Sequence, residues 1–186
     1  MKILLTGTAG FIGFHLAEEL LKRNFEVLGV DNINDYYEPK LKLDRLQILK
    51  NYNNFKFEKI DITNKESLSK AFKSYNPEKV VNLAAQPGVR YSLINPYAYV
   101  SSNLDGFINI IELCRHNKVE GLIYASSSSV YGNNKSIPFK ISDNINKPKS
   151  LYGATKIANE LIAYTYSHLH NLNTTGLRFF TVYGPW

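Results

Sequence analysis

Residues 4–21 read LLTGTAGFIGFHLAEELL, and the order of features within them decides the fold. An apolar run ends at Thr6, Gly7, Gly10 and Gly13 follow at three-residue spacing, and the pattern of an amphipathic helix begins. Strand, glycine turn and helix in that order bring a dinucleotide pyrophosphate against free helix N–H groups. Gly7 permits a tight turn, Gly10 lets the backbone approach the phosphates, and Gly13 lets helix and strand pack closely. The spacing is GxxGxxG rather than GxGxxG. A glycine triplet alone is a weak signal, and the strand before it and helix after it are what raise it.

Working outward, short apolar or β-branched runs alternate with longer amphipathic ones. EVLGVD, FKFEKID, KVVNLAA, GLIYASS and TTGLRFFT read as strands after the first. Helical patterns separate them: LKLDRLQILKN, about Asn64 to Tyr75, about Pro96 to Asn117, and the segment carrying Tyr152. Near-continuous apolar strands alternating with helices predict a parallel sheet covered on both faces. Right-handed crossovers then give an α/β fold, a Rossmann-like doubly wound parallel sheet, as one domain over residues 1–186. No repeat or linker interrupts it, and the Asn/Lys-rich segment 133–150 reads as a mobile loop.

Two clusters of residues carry chemistry. Asp31 ends the second strand, where a carboxylate accepts both hydroxyls of an adenosine ribose and repels a 2′-phosphate, favouring NAD over NADP. Asp61 and Ile62 end the third strand beside the adenine position. Ala84 and Ala85 end the fourth, where small side chains let a cofactor lie against the sheet. Tyr152 and Lys156 are i and i+4 on one helix, so they share a face. A phenol is a weak base at its usual pKa of about 10, and a neighbouring ammonium is expected to lower it. The run Ser126 to Ser129 offers a hydroxyl to hold a substrate alcohol.

Composition excludes several other classes. The net charge of +6 is spread over helices and loops, with no basic run interleaved with aromatics, so no nucleic-acid partner is expected. The single cysteine, Cys114, allows no internal disulfide and fits a reducing cytoplasm, and its apolar neighbours make it a buried side chain. Lys2 runs straight into the first strand with no signal peptide, and no apolar run is long enough to span a membrane. His168 and His170 lie two apart and point to different helix faces, so no metal site is expected.

Six passages carry a family resemblance: LLTGTAGFIGFHLAEELL, VDNINDYYEPKLK, NLAAQPGVRYSLINPYAYVSSNLDGFINIIE, YASSSSVYG, KSLYGATKIANELIAYTYSHLH and TTGLRFFTVYGPW. Over its whole length the chain resembles the extended short-chain dehydrogenase/reductases of the NAD-dependent epimerase/dehydratase family. Among these it is most similar to bacterial UDP-glucuronate 4-epimerases. The resemblance makes Ser127, Tyr152 and Lys156 the catalytic residues. It implies NAD held by Gly7, Gly10, Phe11, Ile12, Gly13, Asp31, Asn32, Asp61, Ile62, Leu83, Ala84, Ala85, Asn103 and Phe179, besides Tyr152 and Lys156. Gln86, Arg90, Ser127, Ser128 and Thr181 would face a UDP-sugar, with Ser92 and Phe180 beside them.

The implied reaction removes hydride from the sugar C4 to NAD while Tyr152 takes the hydroxyl proton. The 4-keto sugar then turns over and is reduced on its other face. Related dehydratases and decarboxylases carry carboxylates where Ser128 and Ser129 stand here, which favours simple epimerisation. UDP-glucose or UDP-N-acetylglucosamine is the alternative substrate. Family members continue beyond YGPW into a lobe that grips the sugar nucleotide, so the expectation is a chain lacking that C-terminal lobe and impaired in turnover. A non-catalytic NAD-binding fragment is the alternative of a different class. The helices near 96–117 and 150–170 resemble those through which the family forms homodimers.

Overall fold

The computed structural model describes residues 1–186. Six strands form one sheet: β1 (Lys2–Thr6), β2 (Glu26–Asp31), β3 (Phe55–Lys59), β4 (Lys79–Asn82), β5 (Gly121–Ser127) and β6 (Thr174–Phe179). Their order across the sheet is β3-β2-β1-β4-β5-β6, and every neighbouring pair is parallel. The winding reverses between β1 and β4, which opens a crevice at the carboxyl ends of the strands. Thr6 braces that point: its hydroxyl donates to Asn82 Oδ1 (2.6 Å) and accepts from the Ala84 N–H (3.1 Å).

Successive residues of the central strands feed opposite cores, as the two-residue period of a strand requires. Leu4, Leu28, Val80 and Leu122 join one cluster, into which α3 (Lys65–Tyr75) and α5 (Gly106–His116) send Leu68, Phe72, Phe107 and Ile111. Ile3, Leu5, Val27 and Val81 join the other, with Phe14 and Ala17 of α1 (Phe11–Lys22) and Leu46 and Leu49 of α2 (Pro39–Leu49). The edge strands depart from the apolar pattern. β3, FKFEK, buries only Phe55, and β6 buries no residue fully, because an edge strand has a neighbour on one side only. No helix is long and apolar enough to cross a membrane.

The stretch 96–117 reads as one helix but contains a change of winding. α4 (Pro96–Tyr99) and α5 are joined by a π turn over Val100–Asp105. The wider turn places Asn103 inward, 2% exposed, with its backbone carbonyl accepting from Asn159 Nδ2 at 2.7 Å. The last helix, α6 (Leu151–His170), starts where Ser150 Oγ accepts from the Gly153 N–H at 3.0 Å. That cap fixes the turn carrying Tyr152. The 133–150 loop is tied by Asn134 and Lys140 to Asp143, each at 2.8 Å, and by Phe139 stacked on Tyr131.

Candidate active site

A cleft of about 540 Å³ runs along the carboxyl ends of the strands from β3 to β6. At its centre, Gly7 has φ +72°, and a Cβ there would press on the Ala84 nitrogen at 2.8 Å. A Cβ on Gly13 would run into the Gly7 carbonyl. The turn therefore closes only with glycine at these positions. No side chain caps the N-terminus of α1, so its N–H groups face the cleft unclaimed by a capping oxygen. Backbone this close, with free donors behind it, is a cradle for a pyrophosphate.

At one end of the cleft Asp31 is held by two backbone donors, Ala9 N–H (3.1 Å) and Ile33 N–H (2.9 Å), and is 7% exposed. Asp61 accepts from Asn32 Nδ2 (2.8 Å), the Thr63 N–H (2.9 Å) and the Thr63 hydroxyl (2.7 Å). Burial raises its pKa, but these hydrogen bonds outweigh burial and hold it below the ordinary carboxylate value. Ile60 and Ile62 supply apolar wall beside them.

Sequence reasoning passed over several residues here: Asn34, Tyr36, Tyr37, Lys42 and Arg45. Lys42 is 4% exposed and donates to the Asn34 carbonyl (2.8 Å) and Oδ1 (2.5 Å). Burial lowers its pKa. Arg45, 3% exposed, donates from Nη1 to the Ala9 carbonyl (3.1 Å) and Tyr37 Oη (2.9 Å), bracing the glycine turn from behind, and from Nη2 to the Trp186 carbonyl. A signal was present. Lys42 and Arg45 share the helix face of Leu46 and Leu49, and charges on a buried stripe need a reason.

At the other end stand Ser127, Tyr152 and Lys156. Ser127 ends β5, and its Oγ accepts from the Ser129 N–H (3.1 Å), which leaves its proton free to donate. Lys156 Nζ donates to the Ala125 carbonyl at 2.9 Å and lies 5.9 Å from the centre of the Tyr152 ring. The expected electrostatics do not hold. Burial pushes the Tyr152 phenol up, against a hydrogen bond with Ser127 that pulls it down. Burial also pushes Lys156 down to about 8. Lys156 spends its contact on a neutral carbonyl, and desolvation governs both groups.

The structure brings most of the expected residues into this one cleft. Gly7, Gly10, Phe11, Ile12, Gly13, Asp31, Asn32, Asp61, Ile62, Leu83, Ala84, Ala85, Phe179, Ser127, Ser128, Tyr152, Lys156, Phe180 and Thr181 all line it. Four do not. Asn103 is buried behind the wall: its Oδ1 accepts from the Gln86 N–H (2.8 Å), and its Nδ2 donates to the Gln86 carbonyl (3.2 Å) and Thr155 Oγ1 (3.1 Å). Both of its amide donors are spent, and its side chain sets the backbone at Gln86. Gln86 is itself buried, Arg90 is exposed beside the short turn Tyr91–Leu93, and Ser92 is buried with its hydroxyl on the Val89 carbonyl.

A doubly wound sheet with a glycine-turn cleft and a Ser–Tyr–Lys group at its far end defines a nucleotide-binding domain of the short-chain dehydrogenase/reductase type. The chain belongs to the NAD dependent epimerase/dehydratase family, whose model matches residues 3–186. It is 62% identical over 186 residues to protein CapI of Staphylococcus aureus, covering 100% of this chain and 55% of that one. To UDP-glucuronate 4-epimerase 4 of Arabidopsis thaliana it is 50% identical over 185 residues, 99% of this chain and 42% of that one. Among solved structures, UDP-glucuronic acid 4-epimerase from Bacillus cereus in complex with UDP-glucuronic acid and NAD superposes with a TM-score of 0.92 at 38% identity. That match covers 100% of this chain and 58% of the other. The chain thus spans about half the length of the relatives it matches.

Proposed function

We propose that this chain is the nucleotide-binding and acid–base portion of an NAD-dependent UDP-sugar 4-epimerase whose substrate is UDP-glucuronate. The observation that carries it is one cleft with a glycine cradle and Asp31 at one end and Ser127, Tyr152 and Lys156 at the other. Bound NAD would supply the hydride acceptor, taking hydride from C4 and returning it to the opposite face of the 4-keto sugar. Tyr152 would accept the C4 hydroxyl proton and give it back on reduction, and Ser127 would donate its free proton to hold that oxygen in line. Lys156 has two N–H donors beyond the one on Ala125, enough to grip ribose hydroxyls beside the phenol.

Charge in the cleft is compatible with a uronate. The only carboxylates lining the cleft, Asp31 and Asp61, lie at the end of β2 and just after β3, separated from the end of β5 by β1 and β4. The sugar end offers the hydroxyls of Ser127, Ser128, Ser129 and Thr181, so a sugar carboxylate meets donors and no like charge. UDP-glucuronate 4-epimerases are also nearer in sequence, at 38% for the B. cereus structure against 33% for UDP-glucose 4-epimerase of Thermus thermophilus.

The test is proton NMR of UDP-glucuronate, UDP-glucose and UDP-N-acetylglucosamine incubated with the chain and NAD, with Tyr152→Phe as control. Conversion of UDP-glucuronate at least tenfold faster than the others, lost in Y152F, is the expected result. Equal conversion of UDP-glucose overturns the substrate, and failure to bind NAD overturns the whole assignment.

A homodimer belongs to the same reading. Tyr97, Val100 and Ile108 on the α4–α5 rod and Leu161 and Tyr164 on α6 are exposed apolar residues at helical spacing. They make a surface suited to helix packing against a second copy.

A further inference from the structure

Three residues of α6, one turn apart, each face a different residue at the end of β5. Tyr152 lines the cleft beside Ser127, Lys156 Nζ donates to the Ala125 carbonyl (2.9 Å), and Glu160 Oε1 accepts from Ser126 Oγ (2.5 Å). The proposed chemistry uses the first two rungs and leaves the third unexplained. Glu160 is half of the least exposed ion pair in the molecule, its side chain 16% and that of Arg178 17% exposed. The pair is bidentate: Arg178 Nε donates to Oε1 (2.9 Å) and Nη2 to Oε2 (2.8 Å). Arg178 lies opposite Ser126 in the β5–β6 register. Its Nη1 donates to Tyr131 Oη (3.1 Å) and the Ile141 carbonyl (3.3 Å), and its guanidinium sits 4.9 Å from the centre of the Tyr131 ring.

We propose that Glu160, fixed by Arg178, is a positioning residue of this site: it clamps Ser126, and so holds the next residue, Ser127, against Tyr152. The role rests on Ser127 and Tyr152 acting together, as in the function proposed above. The bidentate geometry lets one carboxylate serve both partners, because Oε1 accepts from Ser126 and Arg178 while Oε2 takes the second guanidinium bond. Arg178 also neutralises Glu160, so the clamp places no bare negative charge one turn from Lys156. Through Tyr131 and Ile141 the same arginine ties the 133–150 loop to the strand end that carries the serines.

The experiment uses the full chain with ¹³Cζ-labelled tyrosine, without NAD or sugar, at pH 8. The Tyr152 resonance is assigned by its loss in Y152F. Ser127→Ala calibrates the shift produced when the hydrogen bond to the phenol is lost. Ser126→Ala removes only the rung to Glu160, and Glu160→Asp keeps the charge but withdraws the carboxylate by one methylene. Both should move the Tyr152 signal in the direction of S127A by at least half its size. A residue that merely stabilises the fold would lower the melting temperature and leave that signal in place. S127A shifted with S126A unmoved overturns the positioning role, whatever E160D does, and S126A alone decides if E160D does not fold. No shift in S127A removes the Ser127–Tyr152 contact and the proposal with it. Failure of the epimerase assignment would appear separately, in the UDP-glucuronate assay.

Discussion

Lys156 occupies a position where an amino group is expensive to keep charged. It is 4% exposed, no carboxylate pairs with it, and burial lowers its pKa from 10.5 to about 8. The unfolded chain therefore holds this proton more tightly than the folded one between pH 8 and 10.5. Stability must rise with pH across that window, and the penalty is present in full below pH 8. A shift of that size corresponds to about 3 kcal/mol. Lys156→Met should accordingly be more stable than the parent at pH 7 by about 1–3 kcal/mol, with the advantage shrinking towards pH 10. Urea unfolding at pH 7 and pH 9.5 measures this, and a variant less stable at pH 7 would show that the Ala125 bond outweighs desolvation. The sequence made Tyr152, Lys156 and the serines legible because their spacing fixes a shared helix face. Their electrostatics were not legible, since spacing carries no information about burial. Lys42 and Arg45 were passed over although they fall on the helix face of Leu46 and Leu49, where a charge signals a buried role.

At the scale of elements, the glycine turn, the parallel sheet and the helix around Tyr152 all followed from apolar period and punctuation. The π turn did not. One extra residue per turn over Val100–Asp105 leaves no mark on a hydrophobic pattern, yet it decides where Asn103 goes. The resemblance placed Asn103 among cofactor residues, whereas its amide is spent on the Gln86 backbone and Thr155. Its work is to tie the segment after β4 to α6, the two walls of the cleft. Asn103→Ala would leave the Gln86 N–H without its partner in a buried setting, and each such orphan costs roughly 1–3 kcal/mol. Losing the Thr155 contact as well, the variant should unfold about 2–4 kcal/mol more easily in urea. A change below about 0.5 kcal/mol, the size of an ordinary surface substitution, would mean that the bridge is not structural.

Taken whole, the molecule covers the central strands of its sheet and leaves apolar residues exposed along one helical flank. On α6, Leu161 (61% exposed) and Tyr164 (72%) stand on the outer face, and Tyr97 (82%) stands on the adjoining α4. These residues lie away from the cleft, so covering them does not block the nucleotide site. Scattered apolar residues on a surface need no explanation, but a stripe along two packed helices is a surface that favours a second copy. Two such helices from each chain, related by a twofold axis, would form a four-helix contact in which each stripe meets its symmetry mate. Leu161→Glu combined with Tyr164→Glu places two negative charges in each half of that contact, where they meet their own copies across the axis. Sedimentation equilibrium should then give a monomer where the parent gives a dimer, with NAD affinity unchanged because no residue of the cleft is touched. A parent that sediments as a monomer at the highest soluble concentration would reject the dimer. A double variant that stays dimeric would move the contact to another face.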